Sequence, residues 1–201
     1  MYQCTGVILA GGENKRLPGI HKGFIEVSGV RIIDHILTLF NKLFDEIIIV
    51  TNTPHLYTDV DAIVVSDIIK VRSSLAGIHA GLFYSSNPNI FVSACDTPFL
   101  SEDLVVKVLK SMDPSKTVIV PEVKLGLEPL CAVYSKKCIS HIERNIKEGR
   151  LSIRSFFTKN RTKKIPESVL RKEDKDLRSF FNINTEEDLK TAREIAEGIK
   201  V

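Results

Sequence analysis

An α/β fold, a single three-layer domain with a mainly parallel central sheet and helices on both faces, follows from three features of the chain. Short runs of consecutive aliphatic residues alternate with segments of helical period, and strands covered on both faces need such unbroken apolar runs. Four of the runs close on polar or glycine turns, at Gly11-Gly12, Asn52, Asp67 and Asp96. A length of 201 residues suits one compact unit, so residues 1–201 read as a single domain.

Taken in order, residues 6–10 form a buried strand and residues 24–27 a short extended segment closed by Ser28-Gly29. Ile32, Ile33, Ile36, Leu37 and Phe40 recur at helical spacing and should face the sheet. Residues 46–51 and 63–65 are the second and third strands, 75–84 a helix, and 90–94 the fourth strand. Ser101 is a candidate N-cap, followed by Glu102 and Asp103, whose charges suit a first helical turn. Residues 117–120 and 129–134 read as strands, 136–147 as a helix, and 180–184 as a strand ending. Thr185 and Asp188 have the spacing of a capping box, and the last helix runs to about Glu197 before Gly198.

Composition narrows the function classes. Twenty-eight Lys/Arg against 25 Asp/Glu give a net charge of +3, too small to argue for nucleic acid. Apolar runs such as residues 47–50 are far short of a membrane span, and the first residues lack a secretory pattern. The chain is therefore expected to be cytoplasmic, with no membrane partner. Cys4, Cys95, Cys131 and Cys138 show no zinc-ligand spacing. The first three lie in or beside apolar runs and read as packed thiols. Residues 136–175 carry thirteen Lys/Arg and five Asp/Glu. That excess fits either a solvated surface or a field attracting a phosphorylated substrate, and without interleaved aromatics nucleic-acid binding is a remote alternative.

The chemistry concentrates in residues 5–22. A strand runs into Gly11-Gly12, and Lys15, Arg16 and Lys22 follow. Turned-out backbone N–H groups with cations nearby suit a phosphate, although strand, glycine turn and solvated lysines is an equally ordinary local structure. Neither the Walker A pattern nor Gly-x-Gly-x-x-Gly is present. Ligands of open α/β sheets bind at the carboxyl ends of strands, which is where Asn52, Asp67 and Asp96 fall. Asp96 suits Mg²⁺, which takes few protein oxygens alongside substrate phosphates; it also suits a turn cap. Asn52 and Asp67 taken alone are turn residues.

The run Leu9-Ala10-Gly11-Gly12 with Arg16, Gly19 and Lys22 resembles the Leu-Ala-Gly-Gly-x3-Arg-Met-x4-Lys signature of molybdenum cofactor guanylyltransferases, part of a Rossmann-like nucleotidyltransferase group. Leu17 stands for the usual Met, Pro18 for Gly and His21 for Asp. Cys-Asp-Thr-Pro-Phe-Leu at 95–100 resembles the family's metal-holding motif, and Ser74 to Ile78 its Gly-Pro-Leu-x-Gly-Ile wall, with Ser73-Ser74 replacing Gly-Pro. Glu128-Pro129-Leu130 resembles a segment beside the acceptor site, and 182–185 the family's Asn-x-Asn-Thr motif. The match is weakest over residues 159–177.

The resemblance implies transfer of GMP from GTP to the phosphate of molybdopterin, with release of pyrophosphate. Arg16, Lys22 and Asp96 would be the catalytic set, with Mg²⁺ on Asp96. Leu9, Ala10, Gly11, Gly12, Lys22, Asn52, Asp67 and Asp96 would bind nucleotide, and Asn182 and Asn184 the acceptor. Cofactor-biosynthesis or molybdoenzyme chaperone proteins would be further partners. A phosphate monoester is largely dianionic at neutral pH, its second pKa being about 6, so no general base is required. Two alternatives stand beside this reading. One is a cytidylyl- or sugar-phosphate nucleotidyltransferase, a group that tends to read Leu-Ala-Ala-Gly; the other is a nucleotide-binding regulatory domain without turnover.

Overall fold

The computed structural model describes residues 2–11 and 21–198, and the statements below concern those residues. The chain opens with β1 (Cys4–Leu9). After a 3-10 turn at Lys22–Phe24 comes the small hairpin β2 (Glu26–Val27) and β3 (Val30–Arg31). Then follow α1 (Ile32–Leu43), β4 (Ile47–Val50), β5 (Ile63–Val65), α2 (Ser74–Tyr84) and β6 (Asn89–Ala94). The next elements are α3 (Glu102–Lys110), β7 (Val118–Val123), β8 (Gly126–Leu127) and β9 (Cys131–Ser135). The chain continues through α4 (Ile139–Lys147), β10 (Thr162–Pro166), α5 (Glu167–Leu170) and α6 (Glu186–Ala196).

The main sheet has the order β10-β7-β9-β6-β1-β4-β5, with β8 paired to β7. Its pairings are parallel except where β9 runs against β6 and β7, and where β8 folds back on β7. Strand alternation divides the core in two. Ile8, Ile49, Phe91, Ile119 and Val133 pack with α1, α3 and Ala192 of α6 on one face. Val7, Ile48, Val50, Val92 and Tyr134 pack with α2 and α4 on the other. Three layers with helices on both sides result.

α2 is apolar on nearly every side because it lies between the sheet and α4. Its buried glycines allow the close approach: a Cβ at Gly81 would lie 2.8 Å from Val7 Cγ1. Gly81→Ala is therefore expected to destabilise the fold by about 1–3 kcal/mol, read as a lower midpoint of thermal unfolding.

Several boundaries differ from the sequence reading. The helix expected over 136–147 is a 3-10 turn, Lys136–Cys138, before α4, because Ser135 caps the turn at Lys137 N. The strand expected from 129 begins at Cys131, since Pro129 has no N–H to donate and Cys131 N instead closes a turn onto Glu128 O. The extended segment expected over 24–27 starts one residue later, at Ile25, because Phe24 closes the 3-10 turn. The strand ending expected at 180–184 has no ladder. Residues 178–180 form a 3-10 turn whose first two N–H groups, from Arg178 and Ser179, donate to Asp174. β10 was not foreseen.

Candidate active site

Four strands, β1, β4, β5 and β6, run parallel, so their carboxyl ends share one edge of the sheet. Leu9 ends β1, and Ala10 extends it by donating to Val50 O at 2.8 Å while its own carbonyl accepts from Thr51 Oγ1. These bonds carry Gly11, Asn52, Asp67 and Asp96 out together at that edge.

The predicted residues form two groups. In the first, Asn52 Nδ2 donates to Asp67 Oδ2 at 3.0 Å. A Cβ on Gly11 would stand 3.3 Å from Asn52 Nδ2, and one on Gly77 would stand 3.1 Å from Leu9 Cδ2 and 3.8 Å from Asp67 Oδ1. Both glycines thus keep space open around the Asn52–Asp67 pair. α2 begins here, Ser73 Oγ accepting from Ala76 N, so the Ser73-Ser74 departure still supplies a helix cap.

In the second group, Lys22 Nζ donates to Asp96 Oδ2 at 2.7 Å and to Asn184 Oδ1 at 2.6 Å. The Lys22 and Asp96 side chains are 17% and 15% exposed, so this pair is shielded yet open to a ligand. Asp96 is anchored through its backbone: its carbonyl accepts from Ile183 N at 3.0 Å, and Cys95 N donates to Leu9 O. Ile183 is fully buried, which clamps the segment holding Asn184 over the end of β6. Asn182 does not join the cluster; its Nδ2 donates to Phe180 O. Gly12 and Arg16 lie outside the described residues.

Asp96 is a single carboxylate, and no group of three or more His, Cys, Asp or Glu side chains gathers as a metal cage among the described residues. Such a donor set suits Mg²⁺, which relies on one or two carboxylates, waters and substrate phosphates, and not zinc, which needs several protein ligands.

The neighbouring thiol is inert. Burial first, then the Asp96 charge, pushes Cys95 up to about 12, and burial pushes Cys4 up to about 12. All four thiols are buried. Iodoacetamide at pH 8 should label none of them in the native protein and all four after denaturation, as mass spectrometry would show. A raised folded value means that the associated stability is complete below the unfolded thiol value and declines as pH climbs from about 9 to about 12.

Sequence reasoning missed two groups. Asp188 was legible only as a capping partner, whereas its Oδ2 also accepts from Asn184 N at 2.9 Å. Glu128 was legible only as part of a segment; burial, opposed by the Arg154 charge, raises its carboxyl. A depression of about 800 Å³, lined by Glu46, Asp61 and Asn87, lies at the amino ends of β4, β5 and β6, away from these residues. No described helix is long and apolar enough to cross a membrane.

Comparison with known proteins identifies the family. Residues 6–164 match the model of the MobA-like NTP transferase domain. A molybdenum cofactor guanylyltransferase of Desulfosudis oleivorans is 43% identical over 192 residues, spanning 96% of this chain and 95% of the relative. A molybdenum cofactor guanylyltransferase of Syntrophotalea carbinolica is 33% identical, spanning 97% and 93%. The crystal structure of molybdopterin-guanine dinucleotide biosynthesis protein A from Archaeoglobus fulgidus superposes with a TM-score of 0.86 at 28% identity, over 97% of this chain and 100% of that one. A cytidylyltransferase of Thermus thermophilus, at 16% identity and a TM-score of 0.69 over 96% and 98%, shares the fold. The chain belongs to the MobA-like NTP transferase family and, within it, to the molybdenum cofactor guanylyltransferases.

Proposed function

We propose that this protein transfers GMP from GTP to the phosphate of molybdopterin and releases pyrophosphate. The observation that carries the reading is the cluster of Lys22, Asp96 and Asn184 at the carboxyl end of β6, on the same sheet edge as the Asn52–Asp67 pair. Gly11, Asn52 and Asp67 bind the nucleoside, with Leu9 and Ala10 forming the floor. Gly12 and Arg16 are assigned to the nucleotide and its triphosphate by their match to the family signature alone. Asp96 would hold Mg²⁺, which when bound neutralises phosphate charge and orients the phosphate oxygens.

The acceptor phosphate, largely dianionic at neutral pH, attacks the α-phosphorus of GTP as the bond to the β-phosphate oxygen breaks, and pyrophosphate departs. No side chain need take a proton. Catalysis rests on alignment and charge neutralisation. The Lys22 ammonium, held between Asp96 and Asn184, is placed to stabilise charge on the triphosphate, while Asn182 and Asn184 orient the acceptor. The same reading places the protein in the cytoplasm, with its product passing to cofactor-biosynthesis or molybdoenzyme chaperone proteins.

Thermal unfolding with Mg²⁺ and each of GTP, CTP, UTP and ATP tests base choice. GTP at a hundred times its dissociation constant should stabilise by about 2.7 kcal/mol, and the other three should leave the midpoint nearly unmoved. A shift with CTP in place of GTP would make the protein a cytidylyltransferase.

A further inference from the structure

The side chains of Lys22, Asp96 and Asn184 come from three distant parts of the chain, and the last depends on α6. Thr185 caps that helix, its Oγ1 accepting from Asp188 N at 3.1 Å. Asp188 returns the bond to Thr185 N at 2.8 Å, as a capping box requires. The same Oδ2 also accepts from Asn184 N at 2.9 Å, one residue before the cap. That third bond is not needed by the helix. It fixes the backbone of the residue whose side chain receives the Lys22 ammonium.

We propose that Asp188 is a positioning residue for nucleotide binding, acting through Asn184 to hold the Lys22 ammonium where the triphosphate is received. The inference rests on the reading above, in which Lys22 serves GTP. Burial raises the Asp188 carboxyl, but the N–H groups of Asn184 and Thr185 and the Lys22 charge together bring it below the usual carboxylate value. The group is therefore ionised at neutral pH. Its hold on Asn184 is complete above the ordinary Asp range and is lost as pH falls through the lower folded value. Removing the carboxylate frees Asn184, and a Lys22 side chain with one anchor samples other rotamers.

The helix cap and the Asn184 bond can be separated. Thr185→Ala removes the Oγ1 cap but leaves the carboxylate on Asn184 N. Asp188→Asn keeps an oxygen that can accept the same N–H groups, and Asp188→Ala removes it. Affinity for GTP in the presence of Mg²⁺, measured by calorimetric titration of the folded full chain, is the readout. Asp188→Ala and Asn184→Ala should each weaken binding by about fivefold. The double variant should be no weaker than the poorer single one, because residues acting in series are not additive. Asp188→Asn should recover most of the loss. Thr185→Ala should bind within about twofold of the unaltered protein, although its unfolding midpoint falls.

Unchanged affinity in Asp188→Ala, or losses that multiply in the double variant, would overturn the role of Asp188 while leaving the function intact. Loss in Thr185→Ala equal to that in Asp188→Ala would reduce Asp188 to a helix cap. Absence of GTP binding by the unaltered protein would overturn the nucleotide reading itself, and the role of Asp188 with it.

Discussion

Asp96→Ala will lower the rate of GMP transfer by about 10²- to 10³-fold, the scale on which loss of one preorganised electrostatic group is felt. The substitution acts twice. It removes the carboxylate proposed to hold Mg²⁺, and it strips the Lys22 ammonium of its anionic partner at 2.7 Å while leaving the bond to Asn184 Oδ1. The Asp96 backbone keeps its place, since its carbonyl still accepts from Ile183 N. Asp96→Asn keeps the shape and removes the charge, so it should lose nearly as much activity. Steady-state turnover with saturating GTP and Mg²⁺ measures both, with the thermal midpoint recorded to confirm that the variants fold. A fall of less than tenfold would mean that another carboxylate serves the metal.

Phe40→Ala should produce the largest loss of stability, about 3–5 kcal/mol, as for other buried aromatic truncations. Phe40 on α1 is fully buried, with ring centroids 4.9 Å from Phe44 and 5.9 Å from Phe91. Gly6 in β1 makes room for it: a Cβ there would sit 2.6 Å from Phe40 Cδ2 and 2.7 Å from Phe44 Cδ2. Gly6 therefore has no side chain with which to fill the space that the ring leaves. For a chain of this size the expected fall in unfolding midpoint is roughly 10 °C. A fall of under 2 °C would show that α1 and β1 collapse to fill the gap.

Much of this architecture is legible in the sequence because its strands are buried on both faces. Ile47–Val50 can be read from four aliphatic residues in a row, and Ser101 and Thr185 announce their helices by capping chemistry that depends on nearby residues alone. β10 could not be read in this way. Ile165 is its one buried residue, and Lys163 and Lys164 mark it as an edge strand that depends on pairing with β7. The error at 180–184 has a related cause. Asn182, Ile183 and Asn184 alternate exposed, buried and exposed as a strand would, yet a bond from Ile183 N to Asp96 O replaces any ladder.

The candidate site divides along the same line. Gly11, Asn52, Asp67 and Asp96 are visible as glycine or polar residues at strand ends, whose placement follows from parallel pairing. That Lys22 would meet both Asp96 and Asn184 is a property of the folded chain, since the contacts span 74 and 162 residues and no local pattern reaches so far. The role of Asp188 was hidden because one carboxylate serves two purposes: the capping-box spacing accounts for Thr185 and is silent about Asn184.

The most direct measurement is product analysis after the protein is incubated with GTP, molybdopterin and Mg²⁺. The predicted result is one pyrophosphate for each molybdopterin-guanine dinucleotide formed, detected by mass, with no dinucleotide from CTP and formation slowed by about 10²- to 10³-fold in the Asp96→Ala variant. Formation of the cytosine dinucleotide in its place, or consumption of GTP with no dinucleotide, would contradict the assignment of this site to guanylyl transfer.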